Sequence, residues 1–148
     1  MKTNDLMIGD LVCVTKDVCI KKDTIVEVRC IDADNAFIEK ELKGCATCIN
    51  KNDRCNYGGV WVEYLAPIPL TIEILEKNGF EKDGSVFYIA EDYYDIEIKE
   101  YSDSIWVVLV TDNELGIPDS KFTISHVHEL QHALRLCGLS DLADNFKI

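Results

Sequence analysis

The stretch Tyr94–Glu100, which reads YDIEIKE, decides the class of the fold. Apolar side chains stand at alternate positions from Tyr94 to Ile98, and charged side chains stand between them from Asp95 to Lys99. Because successive residues of an extended chain point to opposite sides, this period of two predicts a β-strand. The strand should belong to an antiparallel sheet with one buried face and one face in water.

Two helices are predicted around this sheet. Thr71 is placed to cap the start of a short helix, and Gly79 stands where a left-handed residue would end it. A second helix should begin after Thr123 or Ser125 and end at Gly138. Apolar runs of strand length predict the neighbouring strands, at Val86–Ala90 and Ile105–Val110.

The first 66 residues read as short strands separated by turn residues. The predicted strands are Leu11–Val14, Thr24–Ile31, Ala36–Glu39 and Val60–Tyr64. Strands of this length and spacing predict a small SH3-like β-barrel. Pro67 and Pro69 break the pattern. The predicted fold class is therefore α+β, with the barrel in residues 1–66 and an antiparallel sheet flanked by two helices in residues 67–148.

Charge and composition restrict the class of partner. The net charge is −12, of which residues 1–66 carry −2 and residues 67–148 carry −10. Binding to nucleic acid or to an anionic membrane needs basic side chains, so neither partner is predicted. The chain shows no signal peptide and no apolar run of membrane-spanning length, which predicts a cytoplasmic protein. Its seven cysteines then read as reduced thiols.

Residues 128–132 read HELQH, which is the H-E-x-x-H pattern of zinc peptidases. On a helix, His128 and His132 lie one turn apart with Glu129 beside them. This pattern supports a minimal zinc-dependent hydrolase as an alternative function. Both histidines would bind the metal, Glu129 would act as general base, and Asp141 or Asp144 would complete the metal shell.

Two features of the sequence argue against this hydrolase. A catalytic zinc needs three protein ligands, and the segment after the helix offers no further histidine. At about 100° per residue, His128, Gln131 and His132 fall opposite the apolar stripe that contains Leu130 and Leu134. This arrangement predicts a pair of surface histidines that face water. The leading interpretation therefore assigns no catalytic residue, cofactor or metal ligand.

A second candidate metal site lies among the cysteines. Cys45 and Cys48 form a C-x-x-C, and Cys55 lies seven residues further on. The surrounding residues read as a polar loop between two strands. The three thiols are an alternative set of structural zinc ligands, but the second C-x-x-C of a zinc ribbon is missing. Ordinary reduced thiols are the leading interpretation.

Three segments carry a resemblance to a known group of proteins. Pro67–Phe80 reads PIPLTIEILEKNGF, Tyr101–Val108 reads YSDSIWVV, and Val127–Gln131 reads VHELQ. Over residues 67–148 the chain resembles a family of short proteins from gut anaerobes and their phages or mobile elements. The family has no activity to carry over to this chain. Its pattern resembles Val-His-x-Leu-Gln, often without Glu129 and the second histidine, which implies that HELQH is a local coincidence.

The sequence therefore predicts a non-enzymatic accessory protein, related to phages or mobile elements, that binds a protein partner. The partner and the oligomeric state stay open. A zinc-dependent hydrolase that uses residues 128–132 is the first alternative. An acidic inhibitor of a DNA-acting enzyme is the second, because the strands between Glu91 and Asp103 carry many carboxylates that could imitate a phosphate backbone.

Overall fold

The computed structural model of the chain describes residues 5–32, 45–53, 55–90 and 94–148. The chain divides into two compact units, Met1–Ile68 and Pro69–Ile148. In the described ranges each unit contains a five-stranded antiparallel sheet, and the three α-helices lie in the second unit. The predicted α+β class is therefore confirmed. No helix in these ranges is long and apolar enough to cross a membrane.

The first unit is a meander of four strands with a fifth strand added beside the first. The strands are β1 (Leu11–Val14), β2 (Ile25–Asp32), β3 (Cys45–Asn50), β4 (Tyr57–Trp61) and β5 (Leu65–Pro67). Their order in the sheet is β4-β3-β2-β1-β5, and a 3-10 turn at Val62–Tyr64 precedes β5. In the described part of the chain no ladder joins the edge strands β4 and β5. The observed pairing is thus that of an open sheet.

The core of the first unit is almost entirely aliphatic. Its buried side chains are Leu6, Val12, Val14, Ile20, Val26, Val28, Ala46, Cys48, Val60, Val62 and Leu65. Ile20 belongs to the connection between β1 and β2, so this connection folds over the sheet. Its neighbour Cys19 lies against β4, because a Cβ atom on Gly58 would come within 2.3 Å of the Cys19 Sγ. Gly58 is therefore needed for this close approach.

Two predictions for the first unit were wrong. The C-x-x-C segment is not a polar loop, because Cys45–Asn50 forms β3 and contributes Ala46 and Cys48 to the core. The last predicted strand ends at Trp61, where the chain enters the 3-10 turn. The predicted strand Ala36–Glu39 lies outside the described residues.

The second unit is a sheet of five sequential strands with three helices. The strands are β6 (Glu81–Asp83), β7 (Val86–Ala90), β8 (Tyr94–Ser102), β9 (Ile105–Asp112) and β10 (Ile117–Ile124). The helices are α1 (Ile72–Lys77), α2 (Val127–Leu136) and α3 (Ser140–Asp144). The strand order is β10-β9-β8-β7-β6. Strands β6 and β10 were not predicted, because β6 is a charged edge strand and β10 contains Pro118 and Asp119.

The alternation in β8 has the predicted structural effect. Ile96 and Ile98 are buried on one face of the sheet, whereas Asp95, Glu97 and Lys99 are exposed on the other. We call these two sides the inner face and the outer face. On the inner face Phe87 and Trp106 meet edge to face, with ring centroids 6.1 Å apart.

The predicted cap and end of α1 are both present. The Thr71 hydroxyl accepts a hydrogen bond from the Ile74 N–H at 3.4 Å. Gly79 follows the helix with φ of +85°, a conformation that glycine adopts without strain. The side chain of Asn78, between helix and glycine, hydrogen-bonds the carboxyl-terminal segment of the chain. Its Oδ1 accepts from the Lys147 N–H at 2.7 Å, and its Nδ2 donates to the Lys147 carbonyl at 2.8 Å.

Candidate functional site

Helix α2 begins one residue before His128, and Glu129 caps its amino terminus. His126 is the N-cap residue. One carboxylate oxygen of Glu129 accepts hydrogen bonds from the backbone N–H of Ser125 at 2.6 Å and of His126 at 3.0 Å. The prediction that Ser125 or Thr123 caps this helix was wrong, because the carboxylate satisfies these amides in place of a hydroxyl.

This capping role determines the charge of Glu129. Partial burial acts to raise the pKa of its carboxyl group, but the two backbone hydrogen bonds and the nearby His126 outweigh it and hold the pKa below its ordinary value of 4.5. The Nδ1 atom of His126 lies 3.4 Å from the carboxylate. A general base for zinc-bound water should be free to take up a proton. One carboxylate oxygen of Glu129 is instead occupied by two backbone amides at the start of its own helix, and the lowered pKa makes the carboxylate a weaker base.

Replacing Glu129 by alanine should lower the free energy of unfolding of the second unit by about 1 kcal/mol at neutral pH. We expect a value in the lower half of the range for caps, because 39% of the side chain is exposed. The folded-state pKa is depressed, so this stability is present above pH 4.5 and is lost as pH falls through the lower, folded value. Urea unfolding of both proteins across this range measures the difference.

Glu76→Ala is the matched control, since Glu76 is an exposed glutamate on α1. Its effect on unfolding should be small at every pH. A Glu129→Ala effect that stays constant down to the most acidic pH would contradict the assigned role of the carboxylate.

The histidine pair does not face water as predicted. His128 is only 5% exposed and His132 is half-buried. Their ring centroids are 5.6 Å apart, and the ring of His126 lies 5.8 Å from that of His128. The most exposed side of α2 carries the exposed Leu136 and the half-buried Glu129, which lie seven residues apart along the helix.

The face of α2 that was predicted to be wet is covered by the chain that follows the helix. Gln131 is fully buried, and its Nε2 donates to the carbonyl of Ala143 in α3 at 2.9 Å. Arg135 on the same side donates from Nε and Nη2 to one carboxylate oxygen of Asp144, at 3.2 and 3.1 Å. The sequence prediction failed because it treated α2 as covered on one side only.

The two aspartates that were proposed to complete the zinc shell lie in environments that do not suit a metal ligand. Asp144 is paired with Arg135, whose positive charge disfavours a divalent cation beside it. Asp141 is exposed in the first turn of α3. Within the described residues, no group of three or more His, Cys, Asp or Glu side chains is arranged to hold a metal ion. The donor arrangement therefore does not favour the hydrolase alternative.

The cysteine alternative has a similar outcome. Cys48 is buried in the aliphatic core of the first unit, and its thiol lies 3.8 Å from the Ala46 carbonyl. Cys55 is exposed in a turn, where its backbone N–H donates to the Asp53 carboxylate at 3.1 Å. The side chain of Cys45 lies outside the described residues. Cys48 reads as a small apolar core residue, and nothing favours it as a metal ligand.

The outer face of the second sheet was not predicted from the sequence as a surface on which side chains of five strands lie together. The strand register places its side chains in two rows across the five strands, from β10 to β6. One row is Thr123, Val107, Lys99, Val86 and Asp83, and the next is Lys121, Leu109, Glu97, Tyr88 and Glu81. Strands β9 and β7 thus contribute two apolar columns, which flank the charged column of β8.

The apolar columns are only partly covered. Val86, Val107 and Leu109 are half-buried, and Tyr88 is 39% exposed, with its hydroxyl donating to Glu81 at 2.7 Å. A shallow depression of about 430 Å³ lies over the columns and is bordered by Lys99 and Lys121. In the part of the chain that the structure describes, neither lysine forms an ion pair.

Two surfaces thus come into question, the exposed side of α2 and the outer face. The first carries the carboxylate that caps the helix and a covered histidine, whereas the second carries partly exposed apolar side chains beside the exposed Lys99 and Lys121. Comparison of the chain with protein-family models, with curated proteins and with solved structures finds no match.

Proposed function

We propose that this chain is a non-enzymatic, cytoplasmic accessory protein that binds a protein partner through the outer face of its second sheet. It would belong to the repertoire of phages or mobile elements that its sequence resembles. The observation that carries the proposal is the pair of apolar columns on the outer face, Val86 and Tyr88 on β7 and Val107 and Leu109 on β9. Apolar side chains grouped on an exposed sheet face are typical of an interaction surface.

The alternatives have weaker support. An inhibitor that imitates DNA needs a continuous strip of exposed carboxylates, and Lys99 and Lys121 interrupt the acidic residues of the outer face. The hydrolase needs a base that is free to titrate, and Glu129 is engaged with two backbone amides. Neither alternative explains why apolar columns are left partly exposed.

We also propose that the first unit is a small SH3-like barrel. Support comes from the strand order, in which β5 returns to lie beside β1 after the 3-10 turn. The connection that carries Ile20 across the sheet adds to this support.

Site-specific photocrosslinking tests the proposed function. A photoreactive phenylalanine analogue at Leu109 should give crosslinked protein adducts in cells that express the chain. The same analogue at Leu115, a 68% exposed position in the turn between β9 and β10, is the control and should give few. Mass spectrometry of the adducts identifies the partner. Equal yields at the two positions, or none at Leu109, would remove the support for an interaction through the outer face.

A further inference from the structure

We infer that the partner of the outer face is a second copy of this chain, bound face to face about a two-fold axis. The inference rests on the proposed function, because it uses the same surface, and it names the occupant of that surface. It follows from the order of apolar and charged columns across the sheet. In the apolar columns of β7 and β9, and between Lys121 of β10 and Glu81 of β6, that order is complementary to itself.

The geometry of a two-fold contact determines which strands and side chains of the two copies face each other. If the axis lies between the two sheets and runs along β8, then β9 of one copy faces β7 of the other. The apolar columns then cover each other, Leu109 against Tyr88 and Val107 against Val86 of the second copy. Side chains of two packed sheets interdigitate across about 10 Å in this way.

The same axis brings opposite charges together at both edges of the contact. Strand β10 of one copy faces β6 of the other, so that Lys121 lies opposite Glu81. Because the contact is two-fold, this pair forms twice. Along β8 the same axis sets Lys99 opposite Lys99 and Glu97 opposite Glu97 of the second copy. Because Lys99 and Glu97 are two residues apart on the same face, each lysine can turn away from its counterpart and reach diagonally to the Glu97 of the second copy. A basic partner would be repelled by the positive charges of Lys99 and Lys121.

The size of the surface predicts a weak dimer. Five strands about 4.8 Å apart and two or three outward residues per strand give a plan area of about 300–500 Å². Stable interfaces bury about 800 Å² on each partner. The net charge of −12 on each chain adds a repulsion that salt screens. We therefore expect self-association in the upper micromolar range.

A charge-swap experiment tests the inference on the full chain. Sedimentation velocity of wild type should show concentration-dependent dimers. Lys121→Glu and Glu81→Lys should each weaken self-association about tenfold, because each places like charges opposite one another twice. An equimolar mixture of the two variants should recover dimers to within about threefold of wild type. In that mixed dimer both edge contacts again pair opposite charges.

Leu115→Lys is the control for an added charge away from the outer face, and it should leave the dimer unchanged. Wild type that stays monomeric up to the highest concentration would overturn the inference, as would dimers that neither substitution weakens. A mixture that recovers nothing would also overturn it. If the chain is monomeric and Leu109 crosslinks to a different protein, the inference of a dimer fails but the proposed function stands. If Leu109 gives no adduct at all, the proposed function and the inference of a dimer both fail.

Discussion

Replacing Phe146 with alanine should lower the free energy of unfolding of the second unit by about 3–5 kcal/mol, the largest effect that we expect from a single substitution. Phe146 is fully buried although it stands two residues from the end of the sequence. Removing its ring takes away the apolar area that it buries and leaves a cavity. An effect of this size would be a large fraction of the free energy of unfolding of a small domain.

Anchors on both sides keep the chain around Phe146 in place, so the cavity should not close easily. Before it, the carbonyl of Ala143 accepts the hydrogen bond of Gln131. After it, the backbone of Lys147 makes two hydrogen bonds with the side chain of Asn78. A site whose backbone is fixed relaxes little, and a large-to-small substitution there lies at the high end of the observed costs.

Tryptophan fluorescence in urea measures this effect in the second unit alone. A Trp61→Phe background leaves the buried Trp106 as the reporter. Leu136→Ala is the matched control, because Leu136 is 74% exposed, and it should change the unfolding free energy by less than about 0.5 kcal/mol. Equal effects of the two substitutions would mean that the terminal segment contributes no core.

Local sequence signals were sufficient to predict an element where the residues that determine it lie within or next to that element. Helix α1 was predicted because a hydroxyl residue precedes it and a glycine follows it, and both act as expected. Strand β8 was predicted from alternation, since its inner and outer residues differ in chemistry along the whole strand. In both cases the determining contacts are close in sequence.

Prediction failed where contacts are distant in sequence. Helix α3 has five residues, too few to form without tertiary contacts, and it depends on Gln131 and on the terminal segment. A glutamine on the polar side of a helix is ordinarily solvated, so its burial could not be read from α2 alone. A pattern of Leu142 and Phe146 four residues apart was the available signal.

The candidate site shows the same limit. The residues of HELQH were identified, but the capping of the helix by Glu129 depends on where the preceding strand ends. The two rows of the outer face depend on the register of five strands, two of which the sequence did not predict. Register fixes which side chains become neighbours, and it is set by the whole sheet.

Replacing Asp10 with alanine should lower the free energy of unfolding of the first unit by about 2–3 kcal/mol, the second of the two largest effects. Asp10 is fully buried, and its carboxylate accepts a hydrogen bond from the Met7 N–H at 2.7 Å. Its own backbone N–H returns a bond to the Met7 carbonyl at 3.2 Å, which closes a tight turn ahead of β1. Alanine would leave the partly buried Met7 amide without its acceptor.

This turn also fixes the chain that follows it. The Asp10 carbonyl accepts from Val28 at 2.9 Å, and Gly9 donates to the Val28 carbonyl at 2.7 Å with φ of +92°. The Asp10→Ala substitution should therefore also weaken the pairing of β1 and β2. Hydrogen exchange of the Val28 amide measures it, because this amide is protected only while the turn holds.

Two further substitutions separate the carboxylate from the turn itself. Asp10→Asn keeps an acceptor oxygen and should cost less than half as much. Asp17→Ala removes a carboxylate that accepts the Lys22 N–H at 2.8 Å but stands in water, which can replace the lost bond. Asp10→Ala should therefore exceed Asp17→Ala by about 1.5 kcal/mol or more, since only at Asp10 is water excluded. Equal losses would show that burial adds nothing to the hydrogen bond of Asp10.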